Sequence, residues 1–300
     1  MLILLLKWIT KPKEEDYEAI HTKIKKFYQK RKWVVIPTVL LAFLLTAVLV
    51  IFSIQEMFLF FPNHNELRET LLSDYPEVTK INLNDDENIY SGWGHFDENN
   101  EYTIIYFGGN SEASARHVFN HAITNFSHLD YANFVMVDYP GYGLSRGKID
   151  ENTFKKMALS VYDFVAKNAA VNPNKIIVMG YSLGSGMAAY VAANRTTYKL
   201  ILLTPYTSLR DVANDMIPIF KGPFKWLWKN EFNTYELLDQ ISAKTLVIYT
   251  ETDETIRPEL SIKVINKLTN KQVYITDVKI HNRILYSELV WQEIKRFITN

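Results

Sequence analysis

The pattern of apolar and polar positions first separates an uncharged N-terminal stretch from the rest of the chain. No charge occurs from Trp33 to Gln55, and the apolar part runs from Val34 to Ile54. At about 1.5 Å per residue, a helix of this length crosses a hydrocarbon core of about 30 Å. Pro37 falls in the first turn of such a helix, where proline is tolerated. The pattern predicts a transmembrane helix over residues 34–55 and disfavours a buried core helix.

Basic residues precede this stretch and are scarce after it. The first 33 residues hold nine Lys and Arg, whereas Arg68 is the only one between residues 56 and 75. The positive-inside rule then places residues 1–33 in the cytoplasm and residues 56–300 outside. A cleaved signal peptide is disfavoured, because its apolar core is only about 7–15 residues long and a small-residue cleavage site follows it. We expect a retained single-pass anchor in the cell membrane, with residues 34–54 in the lipid bilayer.

The basic segment also has apolar residues at helical spacing: Tyr17, Ile20, Ile24, Phe27 and Tyr28. Such spacing is typical of an amphipathic helix that lies on the inner face of a membrane. A helix that extends the transmembrane span into the cytoplasm would produce the same pattern. The sequence leaves both interpretations open.

From residue 78 onward, short β-rich runs alternate with longer helical patterns. This alternation predicts βαβ units and a mostly parallel sheet that opens with an antiparallel pair. The predicted helices are 112–126, 151–169, 183–194, 258–268 and 284–298. The predicted strands are Val78–Leu83, Asn88–Phe96, Tyr102–Phe107, Phe134–Asp138, Lys175–Gly180, Lys199–Thr204, Thr245–Thr250 and Gln272–Thr276.

An insert rich in Phe, Trp and Pro interrupts this alternation at about residues 207–240. Because ligands bind beyond the carboxyl ends of parallel strands, an apolar insert there is expected to be a lid or binding wall. Ordinary helix packing on the sheet is the alternative. Its apolar residues are Met216, Ile217, Ile219, Phe220, Phe224, Trp226, Leu227, Trp228 and Phe232.

The composition of the chain limits the kinds of catalytic and binding site it can contain. The chain has 300 residues, no Cys, and 33 basic against 33 acidic residues. The absence of Cys excludes disulfides, thiolate nucleophiles and Cys-based zinc sites. A balanced charge gives no indication of a nucleic-acid partner. We also find no Walker-type phosphate loop, and we predict no cofactor and no metal. Nothing in the sequence sets the oligomeric state.

The most informative motif is Gly180-Tyr181-Ser182-Leu183-Gly184. It follows an apolar strand and begins a helix, which is the context that gives G-x-S-x-G its meaning. Ser182 is then expected at the tip of a strained turn, while Gly180 and Gly184 make room for the adjacent strand and helix. The sequence predicts that Ser182 is a nucleophile.

A serine nucleophile needs a base and an acid. With this kind of turn the chain order is Ser, then acid, then His, and His281 is the only His after Ser182. The acid is expected in the loop after the strand Thr245–Thr250. That loop offers three carboxylates, Glu251, Asp253 and Glu254, and Glu254 has the character of a solvated charge at a helix start. A weaker alternative is Asp211, after the preceding strand.

The loop after strand Tyr102–Phe107 is the candidate oxyanion loop. It contains Gly108, Gly109 and Asn110. Where a serine nucleophile lies in such a strand–turn–helix motif, two backbone N–H groups form the oxyanion hole. One comes from this loop and the other from the residue after the nucleophile. We therefore predict that the backbone N–H groups of Asn110 and Leu183 form the oxyanion hole.

Residues 57–300 resemble the α/β-hydrolase superfamily, and within it the membrane-anchored single-pass branch that has a His-Gly-Asn oxyanion loop. The resemblance implies an α/β-hydrolase fold with an eight-stranded, mostly parallel sheet and a lid after the sixth strand. It aligns Thr250–Ile256 with Gly-x-x-Asp-x-x-Ile, which implies Asp253 as the acid. The other matching stretches are Phe60–Pro62, Gly108–Asn110, Asp138–Ser145, Gly180–Gly184, Thr204–Leu209 and His281–Asn282.

The chain departs from this branch at several positions that leave the triad intact. Gly108 stands where the branch has His, and Thr250 replaces a Gly before the acid. Pro140 replaces an Arg, and Lys279-Ile280 replaces small residues before the His. These changes bear on the shape of the oxyanion loop and on substrate preference.

Together these features predict a membrane-anchored serine hydrolase that cleaves a small, lipid-like or acylated carboxylic ester through an acyl-enzyme. A serine peptidase of the same fold and a non-catalytic membrane-tethered binding domain are the alternatives. A metal enzyme is disfavoured. His117 and His121 have the i, i+4 spacing of zinc ligands, but Val118 stands where His-Glu-x-x-His has Glu, so the pair is interpreted as a helix surface.

Overall fold

A computed structural model describes residues 14–64, 66–85, 87–122, 131–216 and 222–300. The chain divides into two compact units, Met1–Ile54 and Gln55–Asn300. Several predicted features lie outside the described residues: residues 1–13 of the basic segment, residues 123–126 of the helix 112–126, and Ile217, Ile219 and Phe220 of the insert.

The N-terminal helix, α1, is continuous from Glu14 to Leu59. Its stretch Gln29–Ser53 is long and apolar enough to cross a membrane. Pro37 therefore lies inside a helix and not in its first turn, so that prediction is wrong. Proline has no N–H to donate to the carbonyl of Trp33, and one bond of the helix is missing there. Of the two interpretations of the basic segment, the continuous helix agrees with an extension of the span.

The second unit is built on one sheet of eight strands in the order β1-β2-β4-β3-β5-β6-β7-β8. The first two neighbouring pairs, β1 with β2 and β2 with β4, are antiparallel, and the remaining pairs are parallel. The strands are β1 Val78–Asn84, β2 Ile89–His95, β3 Tyr102–Phe107, β4 Ala132–Val137, β5 Ile176–Tyr181, β6 Lys199–Leu203, β7 Lys244–Tyr249 and β8 Lys271–Ile275.

Helices cover both faces of this sheet, which is why strands β3, β4, β5 and β6 are buried at every position. Successive residues alternate between two cores: Ile105 and Phe107 lie in one, and Ile104 and Tyr106 in the other. The helices are α2 Glu66–Leu72, α3 Ser114–Ala122, α4 Glu151–Ala166, α5 Leu183–Asn194, α6 Leu209–Met216, α7 Thr234–Leu237, α8 Pro258–Lys267 and α9 Glu288–Thr299.

Two predicted helices begin later than expected. Helix α3 begins at Ser114 rather than at residue 112, and Asp138 Oδ1 accepts the Ser114 N–H at 2.6 Å. Residues His281–Tyr286 form a 3₁₀ helix, and α9 begins only at Glu288. Ser287 between them has extended backbone angles, φ −86° and ψ 121°, which interrupt the helix.

The insert after β6 packs in part on the sheet unit, as one of the two interpretations predicts. It contains α6, a 3₁₀ turn Gly222–Leu227 and the short α7. Leu227 and Phe232 are buried, and the Phe232 ring lies 5.7 Å from the Phe154 ring of α4. Trp226 is 66% exposed. Part of the insert thus belongs to the core, while Trp226 is a large apolar side chain left at its surface.

The mostly parallel eight-stranded sheet, covered by helices on both faces, confirms the predicted α/β-hydrolase fold. The carboxyl ends of β3, β5 and β7 lie at one edge of this sheet. They lead into the glycine loop (Gly108, Gly109 and Asn110), the turn at Ser182, and the acidic loop (Glu251, Asp253 and Glu254).

Candidate active site

Ser182 occupies the turn between β5 and α5 with backbone angles φ 52° and ψ −119°. A positive φ is unfavourable for a residue with a side chain and persists only where the surroundings impose it. Here the Ser182 N–H donates to the carbonyl of Leu203 at 3.0 Å, and the Ser182 carbonyl accepts the Ser185 N–H at 2.9 Å. These bonds hold the turn, and the hydroxyl projects from its tip.

The glycines on either side of this turn are required by close contacts. A Cβ on Gly180 would lie 2.3 Å from the carbonyl oxygen of Gly184. A Cβ on Gly184 would lie 2.0 Å from the carbonyl oxygen of Phe107. Both distances are far shorter than real Cβ contacts, so the strand and the helix can approach each other only with glycine at both positions.

One chain of hydrogen bonds joins the Ser182, His281 and Asp253 side chains. His281 Nε2 lies 2.9 Å from Ser182 Oγ, and His281 Nδ1 lies 2.7 Å from Asp253 Oδ2. All three residues are buried. Asp253 Oδ1 also accepts the N–H groups of Thr255 and Ile256, at 2.8 and 2.7 Å, which leaves Oδ2 for the histidine.

Two neighbours fix the position of His281. The Tyr181 hydroxyl donates to the His281 carbonyl at 2.9 Å, and the Tyr181 ring stacks on the imidazole with centroids 5.2 Å apart. The Glu254 carboxylate accepts the His281 N–H, with Oε2 at 3.0 Å. Glu254 is exposed, as predicted for a solvated charge, but it lies in the loop before α8 and not at the helix start. Its side chain ties the acidic loop to the histidine loop, a contact between positions too distant in sequence for the pattern to reveal.

The other candidate acids lie elsewhere. Glu251 is exposed in the turn after β7. Asp211 lies on α6, where it accepts the Thr207 hydroxyl at 2.5 Å. Among the described residues, only Asp253 pairs its carboxylate with the His281 ring.

The predicted oxyanion loop lies beside the serine turn. A Cβ on Gly109 would lie 3.6 Å from Ser182 Cβ, and a Cβ on Gly108 would lie 2.6 Å from Met136 Cε. Within the described part of the chain, the backbone N–H groups of Asn110 and Leu183 donate to no other group. They are available to an incoming oxygen, as an oxyanion hole requires.

The side chain of Asn110 has a role that the sequence did not reveal. Its Oδ1 accepts the Phe61 N–H at 3.0 Å and the Tyr142 hydroxyl at 2.7 Å. Its Nδ2 donates to the Leu59 carbonyl at 2.6 Å. These partners lie far from Asn110 in sequence. They fix the loop on which the predicted oxyanion amide sits.

Glu112 supports the same loop from the other side. Its Oε2 accepts the Gly109 N–H and the Tyr106 hydroxyl, each at 2.7 Å, and its Oε1 lies 3.1 Å from His117 Nε2. Burial alone raises the pKa of Glu112, but His117 and the two donors outweigh it and lower the pKa to about 2. Glu112 is therefore a half-buried, ionised carboxylate.

His117 and His121 share α3 but are not a helix surface, so that interpretation is wrong. His121 is buried, with its ring stacked on Phe134 at 4.9 Å. His117 pairs with Glu112. Across the described residues, no group of three or more His, Asp or Glu is arranged to hold a metal ion.

The comparison with known families identifies the fold directly. A family model described as the alpha/beta hydrolase fold matches residues 103–217, which include the glycine loop and the serine turn. The chain belongs to the α/β-hydrolase superfamily. The matched residues include Ser182, which lies between β5 and α5.

Curated relatives of this α/β-hydrolase are distant. An uncharacterized protein of Mycobacterium tuberculosis is 26% identical over 168 residues, 55% of this chain and 59% of that protein. The chain thus spans less than two thirds of that relative's length. A protein of Saccharomyces cerevisiae described as an uncharacterized membrane protein is 25% identical over 166 residues, 53% of this chain and 58% of that protein.

Among solved structures, the esterase Pf2001 of Pyrococcus furiosus superposes with a TM-score of 0.64. The superposition covers 80% of this chain and 98% of that one, at 16% sequence identity. At this identity the likeness concerns the fold alone.

Proposed function

We propose that this α/β-hydrolase is a membrane-anchored serine hydrolase that cleaves carboxylic esters. The observation that carries the proposal is the continuous chain of hydrogen bonds from Ser182 Oγ through His281 to Asp253, at the tip of a strained turn. A nucleophile, a base and a carboxylate that orients the base are the parts that acyl transfer needs.

The geometry supports a role for each residue. Ser182 Oγ attacks the ester carbonyl while His281 Nε2 takes its proton, and the backbone N–H groups of Asn110 and Leu183 stabilise the oxyanion. His281 then gives the proton to the leaving alcohol as the C–O bond breaks, which leaves an acyl-enzyme. A water molecule, deprotonated by His281, releases the carboxylic acid and restores Ser182. Asp253 holds the ring with Nε2 toward the serine.

The setting favours a lipid-like or acylated substrate. The apolar helix Gln29–Ser53 has the length of a membrane span, and one relative is described as a membrane protein. Six basic residues between Lys23 and Lys32 favour a cytoplasmic N-terminus and an extracytoplasmic hydrolase unit. Protease treatment of intact cells tests this orientation: degradation of residues 56–300 supports it, and their protection contradicts it.

Ester turnover tests the proposed activity. We expect the wild type to hydrolyse a panel of p-nitrophenyl esters of different chain length. Ser182→Ala and His281→Ala are each expected to lower kcat by at least about a thousandfold, as in other serine triads. A panel of p-nitroanilides run alongside separates an esterase from a peptidase. A folded wild type that cleaves neither panel would contradict the proposal.

A further inference from the structure

A cavity of about 300 Å³ adjoins the candidate active site. Three segments that carry the site also line this cavity. Asn110 lines it from the oxyanion loop, Tyr181 immediately precedes Ser182, and Asn282 immediately follows His281. Tyr181 also stacks on His281. The cavity therefore lies against the Tyr181 ring and the oxyanion loop, while Ser182 and His281 themselves do not line it.

The cavity carries an arginine that no carboxylate pairs with in the described part of the chain. Arg116 of α3 lines it and donates to the hydroxyl of Tyr286, with its guanidinium over the Tyr286 ring. The acidic residue in the wall, Glu112, is already occupied by Tyr106, Gly109 and His117. Among the described residues no carboxylate neutralises the positive charge of Arg116, so it can pair with an anionic ligand.

The position of the cavity indicates which half of an ester would enter it. The leaving oxygen must reach His281 Nε2 to receive its proton, so the alcohol half lies on the side of His281. The cavity lining is mixed: Arg116, His117, Asn120 and Asn282 are polar, whereas Phe134, Leu285 and Trp291 are apolar. A charged group can pair with Arg116 there, and a long acyl chain carries no such group. An oxyanion fits well, because a guanidinium matches the geometry of carboxylate and phosphate.

We propose that this cavity binds an anionic group, a phosphate or a carboxylate, carried by the alcohol half of the substrate, with Arg116 as the residue that selects it. The proposal rests on the ester-hydrolase function proposed above and adds the substrate class: acyl esters of small, negatively charged alcohols. Arg116 acts in specificity and takes no part in the chemistry at Ser182.

Matched substrates test this proposal. The full-length protein in detergent is given hexanoylglycerol, its 3-phosphate, and the hexanoyl ester of glycerate, which differ in the anionic group alone. We expect kcat/KM for at least one anionic ester to exceed that for the neutral ester about tenfold to a hundredfold, mainly through KM. This is the range of one charge-assisted hydrogen bond. The two anionic esters distinguish phosphate from carboxylate.

Variants assign the preference to Arg116. Arg116→Gln is expected to bring the ratio of kcat/KM for the anionic ester to kcat/KM for the neutral ester to within about threefold of one. Arg116→Lys is expected to give an intermediate ratio, because lysine keeps the positive charge but lacks the planar guanidinium that binds an oxyanion through two N–H groups. Arg283→Gln, an equal loss of charge at an exposed position of the neighbouring 3₁₀ helix, is the control and should keep the wild-type ratio. A wild-type ratio near one, or a preference that survives in Arg116→Gln, would overturn the proposal.

A binding measurement keeps the proposal separate from the activity. Isothermal titration of glycerol 3-phosphate and of glycerate into the wild type and Arg116→Gln needs no turnover. If no ester is cleaved, the proposed function fails, and binding to the wild type that is lost in Arg116→Gln still supports the anionic cavity. Absence of binding to the wild type, together with absence of an anionic preference, would contradict it.

Discussion

The side-chain oxygen of Asn110 accepts the hydroxyl of Tyr142 at 2.7 Å and, from the same atom, the N–H of Phe61 at 3.0 Å. Its amide nitrogen donates to the carbonyl of Leu59. One side chain thus joins the candidate oxyanion loop to the segment that follows α1 and to the loop after β4. The backbone N–H that we assign to the oxyanion hole belongs to the same residue, so this clamp sets its direction.

Asn110→Ala is therefore expected to lower kcat about tenfold to a hundredfold and to change KM less than about threefold. The side chain is already bonded to Phe61, Tyr142 and Leu59, and its loss misplaces an oxyanion donor whose full removal costs about 10²–10³ in kcat. Tyr142→Phe removes one of the contacts and should cost less. Steady-state kinetics on one p-nitrophenyl ester measure both. An Asn110→Ala variant with unchanged kcat would show that the backbone N–H at position 110 does not depend on the side-chain hydrogen bonds for its position.

Asp253→Asn is expected to lower kcat by about 10³–10⁴, because asparagine at this position no longer fixes the histidine tautomer that accepts the serine proton. The control is Glu251→Gln, an exposed carboxylate of the same loop that should keep wild-type turnover. Comparable losses in the two variants would contradict the assignment of Asp253. Circular dichroism establishes that both variants are folded.

Gly184→Ala is expected to yield little folded protein, because the new Cβ would lie 2.0 Å from the backbone oxygen of Phe107. Gly109→Ala is the matched comparison. Its Cβ would meet the side chain of Tyr181 at 3.0 Å, so a small shift relieves the contact, and we expect a loss of about 1–3 kcal/mol. Thermal unfolding measures the difference. A Gly184→Ala variant as stable as the wild type would contradict the tight approach of β3 and α5.

The lowered pKa of Glu112 predicts that the folded protein loses stability in acid. Its folded pKa, about 2, lies below the ordinary value of 4.5, so the ionised form stabilises the folded state. This contribution, about 3 kcal/mol, is complete above pH 4.5 and is lost as the pH falls toward 2. Urea unfolding across this range should show a steeper loss in the wild type than in Glu112→Gln.

The comparison with Glu112→Gln separates the contribution of Glu112 from that of Asp138, a buried carboxylate. Burial raises the pKa of Asp138 to about 6, so its contribution has the opposite sign: it is complete below the ordinary value of 3.8 and is lost as the pH rises through 6. The wild type and Glu112→Gln both contain Asp138, so this pH dependence is the same in both. Parallel pH curves for the wild type and Glu112→Gln would contradict the ionised state of Glu112.

Local pattern was sufficient to predict the sheet. Strand β3 begins and ends where expected, and the other strands differ by no more than two residues at either end, because apolar runs between helices mark buried parallel strands. The motif at Ser182 and the position of His281 after the last strand identified residues that the fold brings within hydrogen-bond distance. These signals are local or depend on chain order.

Contacts between distant segments were not predictable in this way. The Asn110 clamp and the bond between Glu254 and the His281 N–H join residues that only the folded chain brings together. Burial of His121 against Phe134 was also missed, because a pair at i, i+4 has the same spacing on a buried and on an exposed helix face. Pro37 was misplaced because the basic residues before it continue the helix.

Labelling with a fluorophosphonate tests the central claim most directly, since the reagent reacts with a serine that a neighbouring histidine activates. We predict one label per wild-type chain, mapped by peptide mass to Ser182, no label in Ser182→Ala, and much slower labelling in His281→Ala. Ser185→Ala, which changes a buried neighbouring hydroxyl, should still be labelled at position 182. A folded wild type that remains unlabelled, or a label that persists in Ser182→Ala, would contradict the account.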